Sequence, residues 1–231
     1  MTTRPAPVVV FDLDGTLIDT APDLIATLNV ILAREGLASL PYAQGRNLIG
    51  GGARKLIERG LAAEGRLAGA EEVSRMVTDF IDHYAEHIAE QSRPFEGLIE
   101  ALDELARGGL VFAVCTNKLE WLSRRLLEQL GLTQRFSAIC GADTFGVIKP
   151  DPAGLIQTIT RAGGTLAGAV MVGDSAADVN VARAAGVPVI GVSFGYTETP
   201  IADLAPDHII DHMRELPEAV HALLARPVPA A

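Results

Sequence analysis

The stretch "VVVFDLDGTLIDT" (residues 8–20) carries the strongest signal of architecture in the chain. Four consecutive apolar residues, Val8 to Phe11, run directly into Asp12 and Asp14, with Gly15 behind them. A continuous apolar run, rather than an alternating one, suits a strand buried on both faces of a parallel sheet. Two carboxylates one residue apart at the end of such a strand repel each other. A positive group between them would remove that cost.

Similar runs recur at 110–115 (LVFAVC), 137–141 (SAICG), 169–172 (AVMV), 187–193 (VPVIGVS) and 208–211 (HIID). Helical patterns fill the gaps. "DPAGLIQTITRAG" follows the 137–141 run, and "SAADVNVARAAG" follows 169–172, with Gly186 placed as a helix C-cap. This alternation predicts an α/β fold with a doubly wound, Rossmann-like parallel sheet. From about Thr20 to Gln91 no strand pattern occurs. Leu24, Ile25, Leu28, Ile31 and Leu32 keep helical spacing behind an Asp19/Thr20 cap and Pro22, and Val73, Met76, Val77, Phe80, Ile81, Tyr84 and Ile88 do the same. Some seventy residues exceed a simple crossover. The expectation is a core of residues 1–19 and 92–231, with an all-helical cap, 20–91, inserted after the first strand. "RPVPAA" (226–231) reads as a tail.

The chain has 231 residues, 48% of them hydrophobic, and 19 basic against 29 acidic residues give a formal charge of −10. An acidic surface argues against nucleic-acid or anionic-membrane partners, which need a basic footprint, but permits a small anionic substrate. No apolar stretch is long enough to span a bilayer, and Asp12 comes too early for a signal peptide. Cys115 and Cys140 each end an apolar run and read as buried core thiols, although Lys118 lies near enough in sequence to be considered as an activator of Cys115. A cytoplasmic protein, monomer or homodimer, is expected. His83/His87 and His208/His212 have i,i+4 spacing but no third ligand, and Trp121 reads as helix packing.

The polar residues fall at strand ends. Asp12 and Asp14 follow the first strand; Thr116, Asn117 and Lys118 follow the second; Asp174 follows the 169–172 run, with Asp178 a helical turn later; Lys149 sits in "GVIKPDP". Open α/β sheets bind ligands at the carboxyl ends of their strands. Asp12, Asp174 and Asp178 would make an oxygen cluster that a small hard cation such as Mg²⁺ relieves. Beside Thr116 and Lys149 such a site would accept a phosphoryl group. One carboxylate can attack phosphorus, and a second can move the proton.

"DLDGTLIDT", "TN" (116–117), "KPDP" (149–152) and "GDSAAD" (173–178) together resemble the four motifs of the haloacid dehalogenase superfamily of phosphohydrolases, in order and spacing along nearly the whole chain. The resemblance implies a Mg²⁺-dependent phosphatase acting through an aspartyl-phosphate. Asp12 would be the nucleophile and a metal ligand, and Asp14 the general acid/base, binding metal through its backbone carbonyl. Thr116, Asn117 and Lys149 would hold the phosphoryl group. Asp174 would bind metal, and Asp178 would be a ligand or support one. "FDLDGTLIDTAPDL", "CTNK", "GVSFGYTE" and "NLIGGGARKLIERGL" are most similar to the bacterial phosphoglycolate phosphatase group. That implies 2-phosphoglycolate as substrate, with Arg46 and Gly51 of the cap loop binding its carboxylate. Another small phosphorylated metabolite, or a phosphotransferase like β-phosphoglucomutase, is the alternative; "DGT" where mutases tend to carry "DGV" weighs against the latter.

Overall fold

A computed structural model describes residues 5–196 and 199–225. The "RPVPAA" tail and Thr197–Glu198 of "GVSFGYTE" lie outside the described residues. The chain divides into two compact units, one from Met1–Ile18 with Pro94–Ala231 and the other Asp19–Arg93.

The first unit is built on six parallel strands: β1 (Val8–Phe11), β2 (Val111–Cys115), β3 (Ala138–Cys140), β4 (Ala169–Gly173), β5 (Val189–Val192) and β6 (His208–Ile210). Their order across the sheet is β3-β2-β1-β4-β5-β6. Every side chain of β1 is fully buried, the consequence of helices on both sheet faces. Residues two apart share a face. On one face Val8 and Val10 join Ala113, Cys115 and Met171 in a single apolar cluster. On the other, the Phe11 ring meets Phe112 and Phe136 edge-on, with centroids 6.1 and 6.5 Å away. The apolar runs in the sequence thus correspond to the strands: β1 keeps its bounds, β4 gains Gly173, and the others lose one or two residues at one or both ends.

The second unit carries α1 (Ala21–Arg34), α2 (Tyr42–Arg46), α3 (Gly52–Ala63) and α4 (Ala70–Glu86). Thr20 sits at the N-cap of α1, but its hydroxyl makes no capping bond and is buried without a partner, so the expected side-chain cap is not formed. Pro22 does occupy the first turn. Inside α1, Asp23 is buried, and its carboxylate accepts from Gln91 N at 3.0 Å, Ser92 N at 2.8 Å and Ser92 Oγ at 2.6 Å. One side chain thereby ties the first helix of this unit to its last residues. Two-residue segments at Ile18–Asp19 and Arg93–Pro94 pair as a small separate sheet.

Back in the first unit, α5 (Leu98–Arg107), α6 (Glu120–Gln129), α7 (Pro152–Arg161), α8 (Ala176–Ala185) and α9 (Leu216–Leu224) complete the alternation. Gly186 closes α8 with φ 67°, as its position predicts. Cys115 and Cys140 are buried register partners on β2 and β3. Trp121 differs from expectation: it is 45% exposed on the first turn of α6. No helix among the described residues is long and apolar enough to cross a membrane.

Replacing Asp23 by Ala strands the amide and hydroxyl of buried Ser92 and removes the acceptor of the Gln91 amide. The expected cost is about 3 kcal/mol, measured by urea unfolding, with protease cleavage appearing first within residues 19–93. Unchanged stability would show that the Asp23 contacts carry nothing.

Candidate active site

Strand order reverses between β1 and β4, and the crevice outside the carboxyl ends of these strands is where such sheets hold ligands. Asp12 lies one residue past β1, its N–H still laddered to Val172 O at 2.9 Å. The chain then turns tightly: Leu17 N and Ile18 N both donate to Leu13 O at 3.0 Å, and Gly15 N donates to Ile18 O. Gly15 has φ 82°, and a Cβ there would come within 2.5 Å of Asp174 Oδ2, so only glycine fits. Asp174, just past β4, accepts from Tyr196 N at 2.7 Å. A side chain at Gly195 would collide with it from the other side. Two glycines and one amide therefore fix this carboxylate.

Beyond β2, three successive residues turn to three tasks. Thr116 N continues the ladder to Cys140 O at 3.1 Å, and its hydroxyl accepts from Lys118 N. Both polar atoms of the Asn117 amide are engaged by the main chain of Lys149: Oδ1 accepts from Lys149 N at 2.8 Å and Nδ2 donates to Lys149 O at 3.1 Å. The expectation that Asn117 binds substrate meets a different arrangement here, because its amide is spent on the loop that carries Lys149. Lys118 Nζ reaches across to Asp14 Oδ1 at 2.8 Å.

Lys149 is the cation between the carboxylates. Its Nζ lies 2.8 Å from Asp12 Oδ1 and 2.6 Å from Asp178 Oδ1, with the side chain only 3% exposed. Asp178 is held on both oxygens, since its other oxygen accepts from Ser175 N and Oγ as the capping box of α8. One oxygen each from Asp12, Asp174 and Asp178 lie within 4.8 Å of one another. Burial opposes the Lys149 ammonium, but the carboxylates of Asp12 and Asp178 override it and hold the lysine well above its ordinary value. Burial raises the Asp12 carboxyl to about 6, with Lys149 opposing and Asp178 and Asp14 assisting. Burial raises Asp174 as well, with Asp178 and Asp12 adding to it.

Charge accounting tests whether a metal suits these residues. Three buried carboxylates set against one ammonium leave two negative charges, the complement of one divalent cation. Asp174 supplies the need most directly, because among the described residues it has an amide on one oxygen and no cation in ion-pair range. An all-oxygen donor set favours a hard ion. The Asp cluster can therefore bind a divalent metal.

The remaining expected residues lie in the second unit. Arg46 ends α2 and bonds the Tyr42 hydroxyl; Gly51 precedes α3 with φ 77°, between Gly50 at φ 125° and Gly52 at φ 89°. Arg59 braces this loop through Leu48 O at 3.0 Å and Gly50 O at 3.3 Å. Burial pushes the Cys115 thiol up to about 11, which makes it a core residue and not a nucleophile, and Lys118 is on Asp14 rather than beside it. His83 and His87 stack with ring centroids 4.2 Å apart, and His212 Nδ1 accepts from Arg214 N. Neither histidine pair belongs to a three-ligand cluster among the described residues. Lys118 and the Tyr196 amide are the site contributors that residue types alone do not reveal.

The haloacid dehalogenase-like hydrolase family matches residues 9–192. A phosphoglycolate phosphatase of Mesorhizobium japonicum is 47% identical over 210 residues, covering 91% of this chain and 92% of that protein. A phosphoglycolate phosphatase of Agrobacterium fabrum is 46% identical, covering 95% of each. A crystal structure described as a predicted phosphoglycolate phosphatase from Haemophilus somnus superposes with a TM-score of 0.86 at 29% identity, covering 95% of this chain and 99% of that one.

The raised Asp12 carboxyl has a measurable sign. Folded Asp12 holds its proton more tightly than the unfolded residue does. Its contribution to metal-free stability is therefore full below about pH 4 and is lost as pH rises through about 6. Relative to Asp12→Asn, the metal-free wild type should lose on the order of 2–3 kcal/mol between these limits. Urea unfolding of both proteins in chelator across pH checks it. A difference that stays constant with pH would contradict the burial and crowding of Asp12.

Proposed function

The chain belongs to the haloacid dehalogenase-like hydrolase family, and we propose that it is a Mg²⁺-dependent phosphatase of a small phosphomonoester, 2-phosphoglycolate, acting through an aspartyl-phosphate. The observation that carries this reading is the excess of two negative charges at the β1/β4 crevice, centred on Asp12 and Lys149. The choice of substrate is supported by phosphoglycolate phosphatases of other bacteria that match along nearly the whole chain.

The carboxylates of Asp12 and Asp174 and the backbone carbonyl of Asp14 would hold Mg²⁺, which when bound neutralises charge on the phosphoryl oxygens. Asp178 holds Lys149 through Oδ1, and it would either ligate the ion as well or support the residues that do. Asp12 attacks phosphorus. A bond forms from its carboxylate oxygen as the bond to the leaving oxygen breaks, and Asp14 gives that oxygen a proton. Water then attacks the aspartyl-phosphate while Asp14 takes its proton, which returns Asp12 as a carboxylate and releases inorganic phosphate. Thr116 orients the phosphoryl group through its hydroxyl, and the Lys149 ammonium lies against its charge. Asn117 acts on Lys149 through the main chain rather than on substrate. Residues 20–91 would serve as a helical cap, with Arg46 and Gly51 binding the substrate carboxylate.

Phosphate release with Mg²⁺ from phosphoglycolate, glucose 1-phosphate, pyrophosphate and sugar phosphates tests the proposal. Phosphoglycolate should be preferred, and Asp12→Asn should lose turnover by at least about 10⁴-fold while remaining folded. Wild-type activity in Asp12→Asn would overturn the mechanism. Phosphoryl transfer to a sugar phosphate rather than to water would favour a mutase instead.

A further inference from the structure

We infer that Lys118 is a positioning residue for Asp14: its ammonium fixes the carboxyl group that exchanges a proton with the leaving oxygen. This rests on the acid/base role proposed for Asp14 above.

The geometry defines the part. Lys118 Nζ sits 2.8 Å from Asp14 Oδ1, and the lysine side chain is 7% exposed against 21% for the aspartate. A solvated ion pair would contribute little, but this one is mostly shielded and crosses from the end of β2 to the turn after β1. Both partners have a fixed main chain. Lys118 N donates to Thr116 Oγ1 at 3.2 Å, and Lys118 O accepts from Ala142 N at 2.9 Å. A side chain at Gly141 would collide with that same carbonyl, so the loop closes against it only because Gly141 has none. Asp14 lies in the turn that Leu13 O closes, bridged to Ile18. With the two backbones held, the remaining freedom of Asp14 is its side-chain rotamer. Lys118 selects one by engaging Oδ1, and Oδ2 is the oxygen left to carry the proton. A general acid acts only within hydrogen-bond reach of the atom it protonates, so a carboxyl free to rotate spends less time in place. Asn117 and Lys118 thus divide the work of one loop: the first holds the main chain of Lys149, the second the side chain of Asp14.

The test compares leaving groups. Glycolate departs as an alkoxide and needs the proton, whereas p-nitrophenolate departs without one. Single-turnover rates with phosphoglycolate and the nitrophenolate burst from p-nitrophenyl phosphate are measured on Mg²⁺-loaded wild type, Lys118→Met, Lys118→Arg and Asp14→Asn. The ratio of the two rates does not depend on the fraction of enzyme that folds. Lys118→Met should slow the phosphoglycolate reaction by about tenfold or more while the burst changes by less than about threefold, and Lys118→Arg should recover much of the difference. Equal slowing of both substrates in Lys118→Met, with Asp14→Asn still selective for the alkoxide substrate, would overturn the role of Lys118 alone. Equal slowing in Asp14→Asn would remove the acid/base reading and the role of Lys118 with it.

Discussion

The site depends on one shared ammonium. Lys149 stands between Asp12 and Asp178, and each of its restraints has its own origin in the chain. Asn117 grips its main chain from the end of β2, while Asp178, locked into the capping box of α8, draws its Nζ from below. One cation cannot satisfy three buried carboxylates. The shortfall appears as an Asp12 carboxyl raised to about 6 and as an Asp174 raised by burial and by its neighbours. Crowding that would be a defect in a structural protein suits this cluster to a divalent ion, with the Asp12 carboxylate beside it.

The fold delivers that crowding without strain in the sheet. The order β3-β2-β1-β4-β5-β6 sets β1 beside β4, so Asp12 and Asp174 leave adjacent strands one register position apart. Both faces of β1 are buried, and the apolar contacts that hold it are far larger in sum than the repulsion at its end. Gly15 and Gly195 make room for Asp174 from opposite sides, which is why the turn after β1 and the loop after β5 can converge on one carboxylate. Asp14 is balanced separately by Lys118, which leaves the Asp12/Asp174/Asp178 cluster its unmatched charge.

Much of this was legible in the residues. Continuous apolar runs marked the parallel strands because burial on both faces erases alternation, and polar residues at their carboxyl ends marked the site. What escaped was direction. Asn117 is the right type to touch a phosphoryl group, yet its amide turns to the Lys149 backbone; nothing in a residue's identity says which neighbour its hydrogen bonds will serve. Asp178 lies within reach both of a shared ion and of Lys149, and its identity does not say which it serves. The Tyr196 contribution is an amide, present in every residue but proline, and so invisible in sequence. Thr20 has a capping residue's chemistry at a capping position and makes no capping bond, and Trp121 faces outward from a helix whose inner face is filled by leucines. The pairing at 18–19 and 93–94 is too short to leave a periodic trace.

The cluster is short by the charge of one divalent ion. Calorimetric titration of chelator-treated protein with Mg²⁺ measures it directly. Wild type should bind one ion per chain, with the heat of binding largely abolished in Asp174→Asn and binding weakened in Asp178→Asn, which removes one of the three charges. Equal Mg²⁺ affinity in Asp174→Asn and wild type, or no binding by wild type at millimolar metal, would contradict it.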